Sequence, residues 1–353
     1  MDASGLTEAL KKGKLERLSC EIEYARFTDR FKGVERGTVI AGKRIIRAYP
    51  HIKRIFALSN GLARNMDRPF YAEEKIDGFN VRIVSLDGKI FAFSRGGFLD
   101  AFVTEKVRDA GFERYFAKNP AHVLCAEMIG NTPYTPPTDD YDVRLFVFDI
   151  DDGRGRLIPC AERYALLKEY GIEGVPVLGR FHQDDVKGVK RLMLGLNKGR
   201  KEGAVFKSDD RSKAVKYVTP WSDIEDISKS SEMLFDMPIG FYYQRILRSA
   251  FSITEFGLDR DEYAGALGKA FYDGLAKAIN RAGSGQECVE EFEISIKDPS
   301  VWDELKRHMS REVRVEEIWR KRIGARLRIR FRKVFKKTSK TLISLANGKA
   351  VAD

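Results

Sequence analysis

The chain has 353 residues, enough for roughly two to three domains with full apolar cores and no need for disulfide or metal staples. Hydrophobic residues make up 43% and charged residues 33%, which excludes a disordered or low-complexity chain, and no apolar run approaches the roughly 18 residues of a membrane span. The formal net charge of +11 favours an anionic partner such as nucleic acid, and its distribution is uneven: +7 over residues 1–70, −5 over 71–311 and +9 over 312–353.

The opening Met-Asp-Ala-Ser-Gly carries no apolar signal core, so a soluble, cytoplasmic protein is expected. Cys20, Cys125, Cys160 and Cys288 form no Cys-x-x-Cys, and His51, His122, His182 and His308 show no metal-ligand spacing, which argues against zinc chemistry and Cys-His catalysis.

Leu6, Leu10, Leu15 and Leu18 form a short helical pattern, followed by strand-like stretches at 37–41 and 44–49. From Phe70 the pattern is mostly β. The runs 79–84 and 89–94 flank Asp87-Gly88, a strong hairpin signal. Further strands are expected at 122–129, 143–150, 203–207 and 214–218, with helical patterns at 161–170 and 185–194 between them. After Pro220 the chain turns helical, at 239–250 and 259–281. A strand at 291–296 and a helix opening at Asp298-Pro299 follow. Over 325–332 alternation puts Leu327, Ile329 and Phe331 on one face and Arg326, Arg328, Arg330 and Arg332 on the other. The fold class expected is α+β with antiparallel sheets. Its parts are a basic, β-rich N-terminal domain (1–69), a central domain (70–220), a helical domain (221–285) and a basic C-terminal domain (286–353).

The sharpest motif is Glu73-Glu74-Lys75-Ile76-Asp77-Gly78-Phe79-Asn80, a lysine on a strand directly before an Asp-Gly turn. In order downstream stand Ser94-Arg95-Gly96, Ala126-Glu127-Met128-Ile129-Gly130, Phe146-Val147-Phe148-Asp149-Ile150, Glu202-Gly203-Ala204-Val205-Phe206-Lys207 and Val215-Lys216-Tyr217. A lysine amine is nucleophilic only when unprotonated, and nearby cations favour that state while also stabilising charge developing on a phosphate.

This ordered set resembles the covalent nucleotidyltransferase superfamily of ATP-dependent polynucleotide ligases and mRNA capping enzymes, over residues 70–218. The resemblance implies that Lys75 is the nucleophile that becomes AMP-linked and that Glu73 lies where relatives contact adenine. It further implies that Arg95 and Glu127 hold the ribose hydroxyls, that Phe148 stacks on the purine, and that Lys207 and Lys216 grip the phosphates. Asp77 and Glu202 are the candidates for a divalent cation, Mg²⁺ or Mn²⁺, since hard cations take carboxylate oxygens. Asp149 is a weaker candidate, equally suited to capping the turn before Asp151-Asp152-Gly153. Many relatives carry a second lysine two residues after the one at 216, where this chain has Val218.

Within the superfamily, Asn80 at the fifth position after the lysine is similar to RNA ligases, where DNA ligases and capping enzymes show arginine. No Arg-x-Asp-Lys closing motif follows residue 218. The helical segment and basic tail look like the archaeal-type ATP-dependent RNA ligases, which implies a homodimer that joins or circularises single-stranded RNA bearing 5′-phosphate and 3′-hydroxyl ends, with ATP as AMP donor. The alternatives are a DNA ligase, a capping-type guanylyltransferase and a basic RNA-binding protein without catalysis. Eight bases with no acid across 326–340 make that tail a candidate phosphate-binding surface.

Overall fold

A computed structural model describes residues 3–310 and 313–351 and places their strands in four sheets. The first is a meander of Leu15–Ser19, Glu23–Phe27, Val39–Ala41 and Arg44–Ile46. The second runs in the order Val143–Asp151, Val123–Gly130, Phe79–Leu86, Lys89–Ser94. The central five-stranded sheet runs Val177–Phe181, Phe70–Lys75, Gly203–Ser208, Ala214–Val218, Lys53–Arg54; its last pair is parallel and every other pair antiparallel. The fourth sheet has Arg326–Val334 between Val289–Ile296 and Arg314–Ile323.

Local chemistry sets many of these elements. Asp87 and Gly88 both have positive φ, 49° and 79°, the conformation that a two-residue hairpin requires. Thr219 caps the helix Pro220–Ser231 and Asp298 caps Pro299–Met309, each with proline in the first turn. The N-terminal pattern splits: Leu6 and Leu10 lie on the helix Ala3–Lys11, whereas Leu15 and Leu18 begin the first strand beyond Gly13 at φ 64°.

The second sheet is covered on both faces, which is why Val81, Arg82, Ile83 and Val84 are all buried. One face packs with the helices Ala101–Asp109 and Glu113–Lys118 and with the C-terminal sheet through Phe292, Ile294, Ile329 and Phe331. The other meets Tyr24, Val39, Ala41 and Ile46 of the first sheet. Arg82 is fully buried on that side, donating to the carbonyls of Arg47 (2.7 Å), Gly37 (2.8 Å) and Ser94 (2.8 Å), so it ties the first sheet to the second. The strand Lys53–Arg54 and the helix Leu58–Asn65 precede residue 70 yet pack with the central sheet, through Ile55, Leu58 and Leu62. No helix among the described residues is long and apolar enough to cross a membrane.

The basic tail differs from expectation. Alternation does send Leu327, Ile329 and Phe331 into the core. On the other face, however, Arg326 pairs with Asp109 (2.9 Å), Arg330 with Glu291 (2.7 Å), Arg332 with Glu316 (2.7 Å), and Arg328 with Glu293. Carboxylates from other elements thus pair with the whole row expected to bind phosphate at 326, 328, 330 and 332, three of them across strands of the sheet and Asp109 from the helix Ala101–Asp109.

Candidate active site

The strand Phe70–Lys75 ends at the lysine, and the chain turns through Asp77-Gly78 into Phe79–Leu86. Gly78 is required by close approach: a Cβ there would lie 2.5 Å from the carbonyl oxygen of Met128. Opposite Lys75 in register stands Gly203, so no side chain crowds the lysine from the neighbouring strand.

Lys75 opens into a cleft between the central and second sheets. Eight residues singled out in the sequence line it: Glu73, Lys75, Asn80, Arg95, Glu127, Phe148, Lys207 and Lys216. Glu202 forms an ion pair with the Lys75 ammonium from below. Asp77 is exposed at the turn, near enough to Glu127 and Glu202 to raise both carboxyls electrostatically. Burial pushes the Glu127 carboxyl up to about 7, with Lys75 opposing; burial does the same for Glu202, also to about 7. Burial brings the Lys216 ammonium down to about 8, helped by the like charges of Arg54, Lys75 and Arg95. Arg95 also meets His51 Nδ1 at 3.4 Å and lowers its basicity.

The Phe148 ring lines the cleft because of an irregularity that alternation does not show. The ladder with Val123–Gly130 shifts register between Val147 and Asp149, which is a β-bulge at Phe148. Phe148 and Asp149 consequently both turn away from the core that holds Val147 and Ile150, while Phe146 packs against the Arg144 guanidinium at 4.7 Å. Tyr49 meets the Phe148 ring edge-on, with centroids 5.0 Å apart.

Beneath Phe148 lies a buried charge network that the sequence reading missed. Asp149 is paired with Arg211 (2.7 Å), Arg163 (2.8 Å) and Lys207 (3.2 Å) and accepts from the Tyr49 hydroxyl (2.5 Å). It caps no turn; Asp151 does that, accepting from the amides of Gly153 (2.7 Å) and Gly155 (3.0 Å). Glu73 is held by Arg163, by the Tyr164 hydroxyl (2.6 Å) and by Lys207 (2.7 Å). Lys207 also donates to the Phe148 carbonyl at 2.6 Å. With its side chain 1% exposed and its ammonium engaged by two carboxylates and a carbonyl, Lys207 supports the bulge from below, a correction to the expectation that it grips phosphate. Lys216 keeps an outward place in the cleft.

For a metal ion, the available donors are carboxylate oxygens. Glu202 Oε2 is buried without a hydrogen-bond partner, as is the Asn80 Oδ1. Among the described residues no group of three or more His, Cys, Asp or Glu side chains forms a ready-made cage. Such a set fits a hard cation that keeps waters and takes one or two protein carboxylates beside a substrate phosphate.

Comparison with known proteins agrees with this geometry. A family model described as RNA ligase matches residues 68–218, and one described as the ligase Pab1020 C-terminal region matches 230–349. Among solved structures, two structures of an archaeal ATP-dependent RNA ligase, described as form 2 and form 1, superpose with TM-scores of 0.92 and 0.91 at 27% and 26% identity. Each covers 99% of this chain and 97% or 96% of its own. An Aquifex aeolicus protein, whose name proposes an ATP-dependent DNA ligase, superposes at 0.94 with 34% identity, covering 99% of this chain and all of its own. An uncharacterised protein of Methanocaldococcus jannaschii is 29% identical over 349 residues, 93% of this chain and 88% of that protein. With both domain models in sequence and whole-length structural agreement, the chain belongs to the family of archaeal-type ATP-dependent RNA ligases.

Proposed function

We propose that the protein joins RNA 5′-phosphate and 3′-hydroxyl ends through a lysyl-AMP intermediate. The observation that carries this is the placement of Lys75 in a cleft walled by Asn80, Arg95, Glu127, Phe148 and Lys216, with Glu202 against its amine. In the first step the deprotonated Lys75 Nζ attacks the α-phosphorus of ATP. A P–N bond forms, the bond to the β-phosphate oxygen breaks and pyrophosphate leaves. Glu202, paired with the Lys75 amine, holds it in place for this step. In the second step an RNA 5′-phosphate oxygen displaces Lys75 from the AMP phosphorus, and the lysine regains its proton. In the third the RNA 3′-hydroxyl attacks the activated 5′-phosphate, losing its proton as AMP departs.

Arg95 and Glu127 suit the ribose hydroxyls as donor and acceptor, Phe148 offers a ring to the purine, and Lys216 offers charge to the phosphates. Glu202 and Asp77 would hold a divalent cation such as Mg²⁺ or Mn²⁺, which when bound offsets phosphate charge. RNA is favoured over DNA as acceptor by Asn80 in the cleft and by the helices and three-stranded sheet after residue 218. The name of the Aquifex protein keeps nick sealing in DNA as a second reading. The exposed Tyr243 (69%) and Tyr272 (73%) on the helices Gly240–Phe256 and Arg260–Gly283 offer a surface to a second copy of the chain.

Incubation with α-labelled ATP, magnesium or manganese and 5′-phosphorylated single-stranded RNA tests the proposal. A labelled protein adduct, lost in Lys75→Ala, and a nuclease-resistant RNA circle or joined product are expected. An adduct that survives Lys75→Ala would refute the nucleophile assignment, and efficient sealing of nicked DNA alone would refute the RNA reading.

A further inference from the structure

The Val218 departure leaves the cleft with one outward lysine on the strand Ala214–Val218, and Val218 itself is buried. The register shows where another cation comes from. Glu73, Val205, Lys216 and Arg54 pair successively across the central sheet, so their side chains rise on one face in a single row. The first three line the cleft. Arg54 is the outer member, on a strand locked in place by the Ile55 amide donating to the Lys216 carbonyl at 3.0 Å.

The Arg54 Nε is buried with no hydrogen-bond partner. The charges acting on it are Arg248 and Arg245, themselves paired with Asp223 and Asp226, together with Asp223 and the Glu202 that pairs with Lys75. A buried donor left open beside a substrate cleft is the arrangement of a group waiting for an acceptor. Lys207 is consumed by Glu73 and Asp149, so a polyphosphate in this cleft finds its protein charge at Lys75, Lys216 and Arg95, and then one strand spacing of about 5 Å farther along the row, at Arg54.

We propose that Arg54 holds a β- or γ-phosphate oxygen of the bound nucleoside triphosphate, supplying from the N-terminal segment the cation that Val218 does not. The assignment rests on the lysyl-AMP reading above, and it makes Arg54 a group for the first step alone, because only that step has a triphosphate. Its guanidinium would also stabilise the charge that builds on pyrophosphate as the α–β bond breaks.

The test compares Arg54→Gln and Arg54→Lys with wild type in two assays: lysyl-AMP formation against ATP concentration, and sealing of RNA already carrying a 5′-linked AMP. Arg54→Gln is expected to lower kcat/KM for lysyl-AMP formation by roughly 10–100-fold, Arg54→Lys by less, while sealing of pre-adenylylated RNA stays within about threefold. Equal losses in both assays would show a structural role and overturn the proposal. So would an unchanged first step, or a loss confined to AMP transfer onto the RNA 5′-phosphate. A wild-type protein that forms no adduct with ATP would instead refute the ligase reading itself.

Discussion

Asp149→Asn is the most informative perturbation of the site's foundation. The change keeps shape and removes one charge from a cluster in which Glu73 and Asp149 face Arg163, Lys207 and Arg211. Two carboxylates then become one against three buried cations, and removing one partner of a buried charge pair costs about 3–5 kcal/mol. Burial alone would push the Asp149 carboxyl up, yet Lys207, Arg211 and Arg163 hold it far below the usual carboxylate range. A depressed carboxyl adds stability above its unfolded pKa of about 3.9 and loses it as pH falls, so the penalty is fully present at pH 7 and shrinks below about pH 4. Urea unfolding at pH 7 measures it, with Glu293→Gln at the partly exposed Arg328 pair as a control expected to cost under about 1 kcal/mol. Because Lys207 and Arg163 also hold the Phe148 carbonyl, the KM for ATP should rise in the same variant. A loss of under about 1 kcal/mol with unchanged KM would refute the view that this network holds up the cleft.

Three other outcomes follow from the site and the tail. Lys216, at about 8, loses its proton as pH rises, so apparent ATP affinity should weaken by up to about tenfold from pH 7 to pH 9 and hold steady in Lys216→Arg; parallel pH curves for the two proteins would contradict this. Phe331 is fully buried against Phe292 (5.5 Å) and Trp302 (4.9 Å), so Phe331→Ala should cost about 3–5 kcal/mol, and truncation after Gly324 should unfold the shared core, as a thermal melt would show; a truncated chain melting with the full-length one would refute it. Arg330→Gln and Arg332→Gln should leave RNA affinity within about twofold at physiological salt; a tenfold loss would restore the ladder as a phosphate surface.

Local chemistry made much of this molecule legible from residues alone. Asp87-Gly88 has one favoured geometry, Thr219 and Asp298 are strong caps, and the apolar side of Leu327, Ile329 and Phe331 follows from a period of two. The ordered motifs likewise pointed to the eight side chains that converge on the cleft, because each sits at a strand or turn position that short spacing constrains. What remained out of reach depends on partners far apart in the chain. Arg163 and Arg211 meet Asp149 across 14 and 62 residues, Arg54 joins Lys216 by sheet register, and the bulge at Phe148 breaks the alternation that would have oriented Asp149. The arginine ladder shows the same limit: its alternation was readable, but Asp109, Glu291, Glu293 and Glu316 neutralise it from other elements. Backbone period and turn chemistry act over a few residues and are written in order along the chain. A charge takes its meaning from its nearest opposite charge and from how much water reaches it, and both are set only when distant strands come together.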